Sequence, residues 1–318
     1  MVDILIDWLV ALLQTLAFVV LAPLFASLVK RVKCRLQNRR PPPWLQPYRD
    51  LRKLFGKQVL LAETASPLFR LAPYIVFAVT VMAASVVPLF AVDLPTAATA
   101  DAIVLVGFFA FSRVFLALAG MDVGTAFGGM GASREMLVGA LAEPALLMVI
   151  FTLAMVASST NLSTVVTALL HQGVILRPSL LFALLALLLV AIAETGRIPV
   201  DNPATHLELT MIHEAMVLEY TARQLALIEW AAQLKLTLYA VLIANTFFPW
   251  GIAEDIAPLS LLRGMAAVVL KLALLGMLLA IAETVVAKMR LFRVPGFLAL
   301  ALVLALLGML SYNVLEVT

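Results

Sequence analysis

Between Glu194 and Tyr220 the chain gathers Glu194, Asp201, Glu208, Glu214 and Glu219, two histidines (His206 and His213) and a single arginine, Arg197. More acid lies upstream at Glu135 and Glu143 and downstream at Glu229 and Glu283. Carboxylates that converge and are partly withdrawn from water repel one another, and some of their pKa values rise toward neutrality. Groups poised in that way pass protons along a hydrated path or respond to a charge change nearby. Glu143 stands inside an apolar run, where ionisation costs several kcal/mol unless the group is paired or hydrated, so it is a functional candidate with a structural hydrogen bond as its alternative. A solvated face remains the alternative for Glu208 and Glu219, and Thr205 with Glu208 fits a helix capping box. His206 and His213 are seven apart and share a helical face, but zinc needs a third ligand and His-Glu-x-x-His is not completed. The one cysteine, Cys34, builds neither a disulfide nor an iron–sulfur site alone, so no cofactor is expected in this chain.

These residues must be positioned by a very apolar chain. Of 318 residues 64% are hydrophobic and 13% charged, against about half and a quarter in soluble domains. The apolar residues fall in blocks of roughly 20, the length that crosses a hydrocarbon core of about 30 Å. The fold class expected is an all-α polytopic membrane protein: one transmembrane domain, 1–318, with spans near 4–29, 71–92, 101–120, 139–158, 178–194, 228–249, 264–284 and 296–314. Asp3 and Asp7, instead of a basic segment, precede the first apolar block, which reads as a retained helix.

Charge asymmetry orients the spans. Eleven of the 22 Lys and Arg residues lie between Lys30 and Arg70. The same side receives Arg134, Arg197, Arg223, Lys235, Lys288, Arg290 and Arg293, and the other only Arg177 and Arg263; Arg113 and Lys271 fall inside spans. The basic side is therefore expected to be cytoplasmic, with both termini outside. This asymmetry accounts for the net charge of +3, so no nucleic-acid partner is called for. In the first basic loop, Tyr48, Leu51, Leu54 and Phe55 recur at helical spacing among Arg49, Arg52, Lys53 and Lys57. That pattern describes an amphipathic helix on the membrane surface, held by anionic lipid or docking a soluble partner.

Two further loops carry readable signals. The glycines of "GMDVGTAFGGMGASREM" (120–136) lack a preceding strand and a following Lys-Ser/Thr, so they are read as tight turns or close backbone approaches, not a phosphate loop. Ser133 is expected to cap a helix opening at Arg134 and Glu135, with Glu143 two turns on along the same face. Asn202-Pro203 is a good helix start, and a helix is expected from there to about Leu227, with Leu207, Met211, Glu214, Leu218 and Arg223 down one side. Arg197 lies three residues beyond Glu194 and is expected to pair with it.

"AETGRIPVDNPATHLEL", "HEAMVLEY" and "LALIEW" resemble the motif of the subunit 1 family of respiratory complex I, Ala-Glu-x-x-Arg-x-Pro-x-Asp followed by an acidic helix. "QNRRPPPWLQPYRDLRKLFGK" is similar to that family's first cytoplasmic loop, and "DVGTAFGGMGASREM" with "AEPALL" to its second. Within the family, "GGMGASREM" and "NPATHLELTMIHEAM" are closer to the membrane anchors of energy-converting nickel–iron hydrogenases and formate hydrogenlyase. The resemblance implies a multi-pass subunit of a prokaryotic inner membrane that seats a soluble arm beside antiporter-like membrane subunits. It implies iron–sulfur clusters, and a nickel–iron centre, in an iron–sulfur small subunit and a hydrogenase-like large subunit. Glu135, Glu143, Glu194, Glu208, Glu214, Glu219, Glu229 and Glu283 would then carry charge or protons, linking redox change to proton or sodium movement. Arg39, Arg40, Gln46, Arg49, Asp50, Lys53, Arg134, Arg197 and Asp201 would face the partner. The alternative within the family is a quinone-binding subunit of an NADH–quinone oxidoreductase.

Overall fold

The computed structural model describes residues 2–92, 94–172, 177–201 and 211–316. The helix start at Asn202-Pro203, the capping box, His206 and Glu208 lie outside the described residues. The rest forms helices: α1 (Val2–Leu36), α2 (Gln46–Phe55), α3 (Pro67–Val86), α4 (Ala102–Asp122), α5 (Ala126–Ala157), α6 (Leu162–Gln172), α7 (Pro178–Glu194), α8 (His213–Val217), α9 (Ala222–Phe247), α10 (Pro258–Val285) and α11 (Val294–Ser311). Seven of them, α1, α3, α4, α5, α9, α10 and α11, are long and apolar enough to cross a membrane. The eighth expected span, α7, has 17 residues, or roughly 25 Å at 1.5 Å per residue.

The helices pack in a sequence that brings distant parts of the chain together. α10 lies on α1, α1 on α9, α9 on α3, α3 on α4, α4 on α5, and α11 closes against α5 and α7. Lipid is as apolar as leucine, so close van der Waals approach, not transfer from water, holds such helices together. The contacts are accordingly made by small residues: Ala183 and Ala186 of α7, Ala142 and Ala145 of α5, and Ala301 and Ala305 of α11 are fully buried.

Prolines explain where the expected boundaries move. The second span ends at Val86 instead of residue 92, because Val87 precedes Pro88 and takes extended angles (φ −84°, ψ 122°). Residues 88–92 then run as buried non-helical chain, tied to Ala253 by Val92 N–H (3.1 Å) and by Ala253 N–H to Phe90 O (2.9 Å). α9 likewise stops at Phe247, two residues before Pro249, and α10 begins early because Pro258 suits its first turn. α5 starts at Ala126, not near 139: Thr125 caps it by accepting from Gly128 N–H (3.3 Å). Ser133 therefore caps nothing and donates to Met130 O (3.0 Å) inside the helix. The close-approach reading of the glycines is seen at Gly131, which lies against Ala215 and Ile212 O.

The expected helix running to Leu227 is broken. α8 is one short turn, Leu218 and Glu219 are exposed, and Thr221 is extended (φ −132°, ψ 162°) before α9 begins. Met211, Glu214, Leu218 and Arg223 thus do not share one helical face. The break has a physical cause in Tyr220, which turns inward and stacks on Phe69 with ring centroids 4.0 Å apart.

Of the prolines inside helices, Pro73 and Pro23 each free a carbonyl that a membrane cannot hydrate. Pro73 cannot donate to Phe69 O, and Tyr220 OH does so instead (3.0 Å). Pro23 cannot donate to Val19 O, and Trp230 Nε1–H fills that place (3.0 Å). Burial, and then the charge of Asp122, pushes the Tyr220 phenol far above its ordinary value, so it remains a donor at neutral pH. Tyr48 donates to Val20 O from α2, and burial raises its phenol as well. Leu51 is buried beneath α2, whose Phe55 meets Trp230 edge-on at 6.4 Å. Tyr220→Phe should cost about 1–3 kcal/mol, the usual penalty of an orphaned buried acceptor. In a Pro73→Ala background, where position 73 regains an N–H for Phe69 O, the same change should cost much less. Thermal unfolding of the four variants in detergent reads this, and equal losses in both backgrounds would refute the pairing.

Candidate functional site

An arginine in an apolar span must be paired or hydrated, and Arg113 of α4, 4% exposed, is paired three times. Its Nη1 donates to Glu143 Oε1 and its Nη2 to Glu194 Oε1, and its Nε lies 3.7 Å from Glu135 Oε1. Glu135 and Glu143 are two turns apart on α5, and Gly139 sits midway between them on the same face. A Cβ at 139 would enter the Arg113 guanidinium, so the glycine provides the groove in which the side chain lies. Glu194 comes from the end of α7 and is held a second time by Lys235 of α9 (2.8 Å). Lys235 also lies 5.9 Å from the Phe109 ring centroid. Three carboxylates meet two cations, leaving one negative charge formally in excess.

A cavity of about 170 Å³ opens beside this cluster at the basic end of the bundle. Arg113, Glu135, Glu194 and Lys235 line its floor with Val76 and Thr80 of α3, and Arg197, Asp201, His213 and Glu214 line its mouth. That volume holds several waters. Among the described residues, Gln233 Oε1 and Arg113 Nε are buried beside it without a hydrogen-bond partner. Glu229, one turn before Gln233 on α9, lies within the electrostatic influence of Glu214, Asp50 and Lys30.

The expected pair between Arg197 and Glu194 is not formed. Gly196, at φ +59°, turns the chain after α7 and sends Arg197 to Glu283 Oε1 (3.4 Å), which Lys33 of α1 also holds at 2.8 Å. Glu283 is thus buried in a separate ion cluster joining α1, α10 and the 195–201 turn. Asp201 pairs with Lys288 (3.0 Å) and accepts from Ile212 N–H (3.2 Å). Arg134 donates to Met211 O (2.8 Å). Arg134, Arg197 and Asp201 therefore fasten the ends of the acidic loop to the bundle. Glu219 is exposed on the turn before α9, away from the cavity. Arg39, Arg40, Arg49, Asp50 and Lys53 are exposed on the first basic loop, and Gln46 donates to Asp50 (2.8 Å).

Sequence reasoning placed Arg113 inside a span without giving it a role, and it passed over Lys235, Lys33 and Lys288 as counter-ions. The available signal was the spacing Glu135–Gly139–Glu143, two acids flanking a gap on one helical face, in a chain with a membrane arginine to fill it. Among the described residues no three His, Cys, Asp or Glu side chains form a metal-holding group.

Removing one member of a buried ion cluster typically costs 3–5 kcal/mol, because the partner charges are left uncompensated. Gly139→Ala, which forces the guanidinium out of its groove, should approach that loss. Gly129→Ala, on the same helix with open space around it, should be neutral or stabilising by up to about 1 kcal/mol. Equal tolerance of the two substitutions in a thermal-unfolding measurement would show that the groove does not constrain Arg113.

Three comparisons bear on what this arrangement belongs to. The family model described as NADH dehydrogenase matches residues 9–313. Formate hydrogenlyase subunit 4 of Escherichia coli (strain K12) is 33% identical over 284 residues, covering 89% of this chain and 92% of that protein. Hydrogenase-4 component C of the same organism is 34% identical over 280 residues, 88% of each chain. In fold, the chain is similar to a subunit in the structure of the membrane-bound sulfane sulfur reductase, an archaeal respiratory membrane complex. The TM-score is 0.81 at 19% identity, over 96% of this chain and 99% of that one. With the family pattern running along nearly its whole length, and two relatives at a third identity, this membrane-integral chain belongs to the NADH dehydrogenase family.

Proposed function

We propose that this chain is the membrane anchor and coupling subunit of a hydrogenase- or formate hydrogenlyase-like complex. The observation that carries the reading is the cavity at the basic end, where Arg113, Lys235, Glu135, Glu194 and Glu214 meet between membrane helices. The identity with formate hydrogenlyase subunit 4 and hydrogenase-4 component C supports the branch of the family. The basic end faces the cytoplasm of a prokaryotic cell, with both termini on the other side, as the Lys and Arg distribution supports. Exposed Arg39, Arg40, Arg49 and Lys53 receive the soluble arm, whose iron–sulfur small subunit and hydrogenase-like large subunit hold the redox centres. Lipid and antiporter-like subunits surround the spans.

Coupling follows from charge balance. Reduction of a redox centre in the arm would add negative charge near the cavity and would favour proton uptake by the nearest carboxylate. Glu214, half-buried there, is that group. Below it, Arg113 and Lys235 compensate two of their three carboxylates, so one can take a proton without leaving a cation unpaired. Cavity water joins Glu214 to Glu135 and Glu194, and release of the proton resets the cluster. Ions moved in this way would be handed to neighbouring membrane subunits.

Purification of the assembled complex should yield nickel and hydrogen evolution; quinone reductase activity without nickel would overturn the hydrogenase assignment in favour of the quinone-binding alternative. Glu143→Gln and Glu214→Gln should cut ions moved per electron by roughly 100-fold, the scale of a lost proton-transfer group. Electron transfer from the soluble arm to an artificial acceptor should persist in both. Unchanged pumping in the two variants would refute the charge path.

A further inference from the structure

The outward half of the bundle holds a second buried cation, built on a different principle from the first. Lys271 of α10 is 3% exposed. Its Nζ donates to Asn245 Oδ1 of α9 (3.1 Å) and stands 5.0 Å from the centroid of the Trp250 ring. Asn245 is itself fixed, its amide nitrogen donating to Pro88 O and Leu89 O at 2.8 Å each. Those carbonyls belong to the buried non-helical stretch after α3, whose Phe90 and Ala91 N–H groups donate to Gln14 Oε1 of α1 (3.3 and 3.2 Å). From α1, α9, the α9–α10 turn and the 88–92 stretch, the groups that face this site are therefore amides, carbonyls and an indole. Among the described residues no carboxylate lies within ion-pair distance of Lys271. The carboxylates of the nearby turn, Glu254 and Asp255, are exposed, and Glu254 lies 3.4 Å from His171.

We propose that Lys271 is a proton-exchange site in the outward half of this chain, taking protons from the bundle interior and releasing them past Trp250 to the outer face. The inference rests on the coupling role above. Its chemical basis is the choice of partner. Carboxylates around Arg113 fix a charge that arginine in any case never gives up. A neutral amide oxygen does not fix one, because it accepts an N–H from an ammonium and from an amine alike. Lysine is also the cation that exchanges its proton when withdrawn from water. In the release step one Nζ–H bond breaks and one O–H bond forms on an outward water. The amine keeps an N–H on Asn245 Oδ1, and its lone pair accepts the next proton from the interior, so the site returns to its starting charge. Non-helical backbone at membrane depth occurs where it is buried in protein or lines a wet cavity, and here it anchors the amide that holds the lysine. Trp250, 42% exposed, separates the ammonium from the outer surface by a cation–π contact, which is weak enough to be exchanged for water. Asn245 lies ten residues beyond Lys235 on α9, about 15 Å farther along the axis, so the two sites divide the bilayer between them.

The assembled complex in proteoliposomes, with ions moved per electron as the readout, tests the proposal. Lys271→Arg keeps the charge and forbids deprotonation, and Lys271→Gln keeps a donor and forbids protonation. Both should lower the ratio by roughly 100-fold, the loss expected for a proton-transfer group. A ratio retained in Lys271→Arg but lost in Lys271→Gln would mean a fixed structural charge and overturn the proposal, as would retention in both. If the unaltered complex moves no ions, the coupling role itself fails, a different result from either. Should the lysine variants not assemble, Trp250→Ala is read instead. Loss of the indole seal should make pumping collapse under an opposing pH gradient that the unaltered complex sustains, and equal tolerance of that gradient would overturn the proposal.

Discussion

The guanidinium of Arg113 is the constraint on which the inner half of the bundle depends. Left alone in hydrocarbon it would cost several kcal/mol at least, and it is compensated by carboxylates from two other helices, one of which Lys235 balances in turn. That requirement explains why α4, α5, α7 and α9 converge, why α5 carries a glycine between two glutamates, and why α7 ends where it does. The same requirement creates the functional asymmetry. Hydrogen-bonded carboxylates in excess over cations are what a structural cluster avoids, since a neutral set would be cheaper to bury. Here the excess acid borders a cavity that reaches the basic surface.

A second constraint couples that cavity to the loops. Pro23 and Pro73 would each expose a carbonyl in α1 and α3, and both carbonyls are satisfied by aromatic donors from α9 or the residue stretch that leads into it. Chain after Met211 is thereby pinned to two membrane helices, while Arg134, Asp201 and Arg197 pin the earlier part of the same loop to α5, the Lys288 segment and α10. A partner that shifts this loop acts on the walls of the cavity directly.

Composition made the bundle legible, because blocks of about 20 apolar residues admit few other folds. Its finer boundaries were written in prolines at 88, 249 and 258, which end or start helices by well-understood sterics. The acidic residues of the site were equally visible as types. Their partners were not, since Arg113, Glu143 and Glu194 are far apart in sequence and nothing local pairs them. Local reasoning in fact misled: Arg197 lies three residues from Glu194 in the chain, and a single turn at Gly196 gives it to Glu283 instead. The long helical reading of the acidic loop failed for a similar reason, because the inward turn of Tyr220 answers a proline in another helix. A buried lysine such as Lys271 could be placed in a span, but its neutral amide partner became apparent only from packing.

In the function proposed, the two buried cations form one device, a clamped charge facing the redox partner and an exchangeable one toward the opposite face. In that reading, redox change in the partner alters protonation of a carboxyl group in the Arg113 cavity. Redox-triggered infrared difference spectroscopy on the assembled complex reads this directly. A protonated-carboxyl band should appear on reduction and shift when glutamate is isotopically labelled. Reduction that leaves every carboxyl band unchanged would contradict it.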